Sequence, residues 1–155
     1  MADIDTPRAD GPETTILPST LRYLRGSLLR KAEGLNDETA RWSPVVSGTS
    51  ILWLIDHMAF VESIWFVNRF LGEGEIPPFR TSDSLQQALD NYAMVGQRVD
   101  DVIDRTADFD TMSMGDTGNE AVSMRWILTH LIGELARHAG HADIIRELID
   151  ESIGR

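Results

Sequence analysis

Apolar residues recur at intervals of three and four along four long segments of this 155-residue chain, which limits the fold more than any other feature. Side chains spaced in this way lie on one face of an α-helix. We predict helices over residues 20–33, 50–71, 84–105 and 123–151, with a short helical segment over residues 36–41. No segment shows the alternation of apolar and polar residues that is typical of a strand.

Four long amphipathic helices without strands predict an all-α fold, and specifically an up-down four-helix bundle. Pro18 and the residues after it form a helix start signal, and Gly34 is a stop signal for the first helix. We therefore assign residues 18–155 to a single bundle domain. Residues 1–17 are polar, with acidic residues and prolines, and are expected to form a disordered tail.

Two glycines, Gly133 and Gly140, interrupt the last predicted helix. Each costs about 1 kcal/mol relative to alanine in a helix interior. We expect a neighbouring backbone to approach closely at these positions, since that would explain the absence of a side chain.

Composition excludes several classes of protein. The formal net charge is −11 and no dense cluster of Lys and Arg is present, so binding to nucleic acid is not expected. No stretch approaches the roughly 18 consecutive apolar residues of a membrane span, and the N-terminus lacks the apolar segment of a secretory signal. We expect a cytoplasmic protein. The chain has no cysteine, which excludes disulfides, thiolate metal ligands and a cysteine nucleophile within it.

Polar residues occupy one stripe of the last predicted helix. They follow each other at steps of four and three: His130, Glu134, His138 and His141. The same face carries four aliphatic residues: Ile127, Leu131, Leu135 and Ile145. The stripe is therefore expected to face the core, where charged groups are rare unless they are paired or bind a metal.

His57, on the inward face of the second predicted helix, can lie opposite Glu134 and His138 in a bundle. Two imidazoles and one carboxylate leave a coordination position open, which is typical of catalytic zinc and also suits ferrous iron. His130 and His141 are further candidates, as ligands, orienting partners or proton donors. A histidine on an apolar face is more often a hydrogen-bonded core residue than a ligand, so a structural bundle without metal is an alternative.

The two histidine-bearing segments, residues 47–62 and 125–147, resemble the DinB/YfiT-like superfamily. Within it they are most similar to the actinobacterial branch related to mycothiol-dependent maleylpyruvate isomerase. The resemblance implies a four-helix bundle with a divalent metal, usually held by three histidines. In the mycothiol-dependent branch a glutamate replaces one histidine, four residues before the last ligand, and the match falls on His57, Glu134 and His138.

The resemblance also implies a reaction: mycothiol, activated as a metal-bound thiolate, would attack a small electrophile, with His141 or His130 as the proton carrier. Zn²⁺ is the first expectation for the metal, with Ni²⁺ or Fe²⁺ as alternatives. Dimerisation is common among relatives, which makes a second copy of the chain a candidate partner. The alternatives are a metal-dependent hydrolase and a bundle that binds metal or a small ligand without catalysis.

Overall fold

The structure, a computed structural model, describes residues 5–6, 8, 10–116, 118 and 120–153. Its helices are α1 (Glu13–Arg30), α2 (Asp37–Arg41), α3 (Ile51–Ser63), α4 (Leu85–Arg105) and α5 (Met124–Asp150), and a π-helical segment (Ile64–Phe70) continues α3. Within these described residues the only extended pairing is one isolated antiparallel bridge, between Met112 and Ser123. The predicted all-α four-helix bundle is confirmed, with α2 as a short helix in the first connection.

The four long helices form two closely packed pairs, α1 with α5 and α3 with α4, and the pairs meet along α3 and α5. Each helix contributes an apolar face to one continuous core. Its fully buried members include Leu21, Leu28, Ile55, Met58, Phe66, Tyr92, Val99, Ile127, Leu131 and Leu135. Burying one aliphatic or aromatic side chain of this size stabilises the fold by roughly 1.5–3 kcal/mol, so the core determines how the helices are arranged.

Three serines cap the N-termini of α3, α4 and α5: Ser50, Ser84 and Ser123. The hydroxyl oxygen of each accepts a hydrogen bond from the backbone N–H three residues later. Asn36 caps α2 in the same way. Each cap satisfies an N–H that has no partner within its helix, which is worth about 1 kcal/mol. The predicted starts of these helices are confirmed.

The first helix begins earlier than predicted. It starts at Glu13 instead of near residue 20, and Pro18 lies within it. A proline inside a helix removes one backbone hydrogen bond, but here its ring is buried, and Glu13 accepts a 2.6 Å hydrogen bond from Nε of Arg125 on α5. These tertiary contacts hold the first turns in place, so residues 13–17 are helical and are not part of a tail. Of the predicted tail and domain, residues 1–4, 7, 9, 117, 119, 154 and 155 lie outside the described residues.

The expected close approach at the two glycines of α5 is wrong. A Cβ built on Gly133 or Gly140 would meet no atom within 4 Å. Both glycines lie on the exposed side of the helix. A neighbouring side chain does approach closely at Gly96 on α4, where a Cβ would lie 3.3 Å from a guanidinium nitrogen of Arg25.

In the described part of the chain, one helix, Ile51–Phe70, is long and apolar enough to cross a membrane by length and composition alone. Half of that stretch is buried inside the bundle. Core helices of globular proteins commonly have the same composition, and the helix also carries Asp56, His57 and Glu62.

Candidate metal centre

The predicted ligands His57, Glu134 and His138 are brought together where α3 meets α5. The imidazole rings of His57 and His138 lie edge to face, with centroids 4.9 Å apart. The Glu134 carboxylate, one helical turn before His138, has an oxygen 3.6 Å from Nε2 of that histidine. The side chains of Glu134 and His138 are 22% and 12% exposed, so both can be reached from solvent.

The donor types at this site fit a divalent cation, although the side chains do not form a finished coordination sphere. Within the described residues, no group of three or more His, Asp or Glu side chains is arranged to hold a metal ion. Glu134 accepts a 3.1 Å hydrogen bond from Arg137, which a metal would have to share or displace. The buried Nδ1 of His138 has no hydrogen-bond partner among the described residues. Buried polar atoms rarely remain unpaired, and an imidazole nitrogen without a partner can act as a metal ligand.

Burial favours the neutral form of both imidazoles. Burial lowers the pKa of His57, against the opposing effect of the Glu134 carboxylate. Burial also lowers the pKa of His138, and the nearby His57 contributes in the same direction. Neutral imidazole is the form that coordinates metal ions.

The polar stripe of α5 lies at the edge of the core and does not face it as expected. Leu131 and Leu135 are fully buried, whereas Glu134 and His138 are half-buried and His141 is exposed. Each residue turns the helix by about 100°, so the position before a core leucine lies well to one side of the core. The stripe therefore lies along the partly exposed edge of the contact between α3 and α5, which we call the α3–α5 edge.

Aromatic side chains cover the His57 side of the centre. The Trp53 ring stacks on the His57 ring, with centroids 4.6 Å apart and planes at 9°. Phe79, from the connection between the π-helical segment and α4, meets the His57 ring edge-on at 6.3 Å. Trp53 lies four residues before His57, so helical spacing is the sequence signal for this contact. Phe79 was not predicted, since nothing in the pattern of its connection points toward His57.

His130 and His141 have different surroundings. The His141 ring lies 5.5 Å from that of His138, so it adjoins the centre. His130 stacks on Trp126 at 5.0 Å and meets Trp65 at 5.1 Å, in an aromatic cluster. Eight residues along a helix correspond to about 12 Å, so His130 is too far from His138 to share an ion with it. The guanidinium group of Arg69 covers the Trp65 ring at 4.1 Å.

The two acidic residues closest to His57 in sequence have other partners. Asp56 accepts hydrogen bonds of 2.7 Å from the backbone N–H and the hydroxyl of Ser82. Glu62 is fully buried and accepts hydrogen bonds from Arg25 and from the Tyr92 hydroxyl. Neither carboxylate is available to the candidate metal centre.

Comparisons with known proteins bear on the family and the fold of this chain. The sequence model of the mycothiol-S-transferase family matches residues 16–151, a range that includes all four histidines and Glu134. A crystal structure of a conserved protein from Enterococcus faecalis has a similar fold, with a TM-score of 0.67 over 93% of this chain and 100% of that one. The two sequences are 16% identical, so this likeness shows the fold alone. No curated protein sequence matches this chain. The family match covers most of the chain, which therefore belongs to the mycothiol-S-transferase family, of the DinB/YfiT-like type.

Proposed function

We propose that this protein is a metal-dependent transferase that joins the sulfur of mycothiol to a small electrophile at the α3–α5 edge. The observation that carries the proposal is the meeting of His57 with Glu134 and His138 from facing helices, in a chain of this family. The chain has no cysteine, so a sulfur nucleophile must come from a cosubstrate.

In this proposal His57, Glu134 and His138 would hold the cation. Zn²⁺ is the first candidate and Ni²⁺ or Fe²⁺ are alternatives, since all three suit imidazole and carboxylate ligands. When bound, the cation would lower the pKa of a thiol and so supply a thiolate near neutral pH. The i, i+4 spacing of Glu134 and His138 directs both side chains to the same side of α5.

Other residues of the chain would shape and serve the reaction. Trp53 and Phe79 shield one side of His57 from water. His141 is exposed and adjoins His138, so we assign it the role of proton carrier between the thiol and solvent. His130 lies within the aromatic cluster and is assigned to the wall of the reaction site. A cytoplasmic location is part of the proposal, because low-molecular-weight thiols are kept reduced there.

Metal content of purified variants tests the ligand assignment. With the purification tag removed, the wild-type chain is expected to bind one divalent ion, and His57→Ala and His138→Ala are each expected to lose it. His130→Ala is the matched control: it removes an imidazole from the same helix as His138 but from outside the candidate metal centre, and should keep full metal occupancy. Retention of full metal occupancy by His57→Ala or His138→Ala would show that the ligand set is wrong.

Thiol dependence tests the reaction. Metal-loaded protein is expected to consume mycothiol and a member of a broad electrophile panel in equal amounts, and to do nothing without thiol. Hydrolysis that proceeds without thiol would favour the hydrolase alternative. Tight, reversible metal binding with no turnover would favour a binding protein.

A further inference from the structure

A cleft of about 430 Å³ opens beside His141, between α5 and the connection that precedes α3. Its apolar walls are Pro44, Val45, Ile144, Ile145 and Leu148. The hydroxyl-bearing Ser47 and Thr49 complete the lining together with His141. None of these residues is acidic, and none is a lysine or an arginine.

The cleft leaves apolar side chains in contact with water. Ile144 is 61% exposed, Leu148 is 58% exposed and Val45 is 48% exposed. On α5 the apolar wall and His141 lie on one face, because they are spaced by three and four residues. Single exposed apolar residues are ordinary, but several that line one concavity form a surface that an apolar group can cover. Clefts of about 300–1,000 Å³ suit small organic molecules.

His141 connects this cleft to the candidate metal centre. Its side chain lines the cleft, and its ring lies 5.5 Å from the ring of His138. A molecule whose apolar part fills the cleft would therefore hold its other end beside the three proposed ligands. This proximity indicates a small-molecule substrate as the occupant.

We propose that the cleft binds the apolar part of the electrophilic substrate, and that this substrate is uncharged. The proposal rests on the proposed function and specifies its substrate class. The described lining offers no cation to an anionic substrate, and moving an unpaired carboxylate out of water is costly. An aliphatic or aromatic group, in contrast, gains from burial against Ile144, Ile145 and Leu148.

Binding of neutral probes tests the cleft without any chemical reaction. We would titrate metal-free and metal-loaded protein with straight-chain alcohols from butanol to octanol and follow binding by NMR. Each added methylene is expected to tighten binding about fourfold until the cleft is full. Ile144→Ser and Leu148→Ser should weaken octanol binding at least about tenfold. Met94→Ser is the control, because Met94 is 66% exposed on α4 and lies outside this lining.

Turnover of matched electrophiles tests the substrate class. With mycothiol present, kcat/KM for terminal alkyl epoxides is expected to rise with chain length in the wild type and in Met94→Ser. An epoxide of the same length that ends in a carboxylate should react at least about tenfold less efficiently. Ile144→Ser and Leu148→Ser should lose the dependence on chain length.

The two proposals can fail separately. Alcohol binding that depends on Ile144 and Leu148, without thiol-dependent turnover of any electrophile, would refute the transferase and leave the cleft as an apolar binding site. Thiol-dependent turnover that is indifferent to chain length and to both substitutions would refute the cleft assignment alone. If the alcohols do not bind and Ile144→Ser converts a dimer to a monomer in sedimentation, the cleft is an interface between two copies, which also overturns the assignment.

Discussion

Glu62 is the residue whose surroundings most constrain the interior of the bundle. It is fully buried, and Arg25 donates hydrogen bonds of 2.7 and 3.3 Å to its two carboxylate oxygens. Tyr92 donates to the same carboxylate, and Asp100 accepts a 3.1 Å hydrogen bond from the other side of the Arg25 guanidinium group. A buried charge is tolerated only when it is paired and hydrogen-bonded. The network therefore links α1, α3 and α4 in one arrangement.

Replacing Tyr92 with phenylalanine should destabilise the fold by about 1–3 kcal/mol, because Glu62 would lose one of its buried donors. Urea unfolding at pH 7 measures this change. Tyr23→Phe is the control, since the other tyrosine is only half-buried and its loss should alter stability by less than about 0.5 kcal/mol. Equal losses in the two variants would contradict the importance of the buried hydrogen bond.

The same tyrosine predicts how stability changes at high pH. Burial, together with the Glu62 carboxylate, raises the pKa of Tyr92 well above its usual value of 10.0. The unfolded chain then loses the proton before the folded chain does, so this contribution to stability is complete below pH 10.0 and is lost as the pH rises further. Above pH 10.0 the free energy of unfolding should fall less steeply with pH in Tyr92→Phe than in the wild type. An unchanged slope would show that Tyr92 titrates alike in both states.

Among the helical elements, the π-helical segment after α3 is the feature that periodicity did not predict. The predicted helix over residues 50–71 has the right length, but the backbone N–H of Leu71 donates to the carbonyl five residues earlier, on Phe66. The reason is tertiary: the loop before α5 donates the N–H groups of Met114 and Gly115 to the carbonyls of Phe70 and Arg69. A pattern of apolar residues contains no information about such a distant loop.

Gly115 should be intolerant of any side chain. A Cβ at this position would lie 2.3 Å from the carbonyl oxygen of Asn68 and 2.9 Å from that of Arg69, and both are backbone atoms that cannot move alone. Gly115→Ala should therefore force the loop away from the π-helical segment and destabilise the fold by about 1–3 kcal/mol. Thermal unfolding measures the loss. Wild-type stability in this variant would show that the loop does not pack as described.

Gly133→Ala is the opposite case and should stabilise the protein by up to about 1 kcal/mol. Its helical position is exposed, and a Cβ there meets no atom within 4 Å. Alanine has a higher helix propensity than glycine, and it lowers the conformational entropy of the unfolded chain. Both effects raise the free energy of unfolding. A rise in the midpoint of chemical denaturation with an unchanged slope would confirm this, whereas a fall would mean that the glycine has a structural role.

Over the whole molecule, the sequence predicted the elements better than the contacts between them. Helical spacing and the serine caps predicted the starts of α3, α4 and α5 correctly, because both signals involve residues that are close in sequence. The predicted start of α1 was wrong because its first turn is held by the Glu13–Arg125 pair, whose members lie far apart in sequence. The same distinction holds in the candidate centre. The spacing of Glu134 and His138 is local, whereas Phe79 reaches His57 through a connection without periodicity.

Metal binding should stabilise the whole bundle, because the candidate centre lies where the two helix pairs meet. His57 belongs to the α3–α4 pair, and Glu134 and His138 belong to the α1–α5 pair. An ion that binds the folded chain alone, at a concentration 100 times its dissociation constant, adds about 2.7 kcal/mol of stability. For a domain of this size that corresponds to a rise in Tm of about 5–11 °C. Thermal unfolding with and without Zn²⁺ should show this rise in the wild type and in His130→Ala, but not in His57→Ala. If the ion binds stoichiometrically and Tm does not change, it does not join the two pairs at this centre.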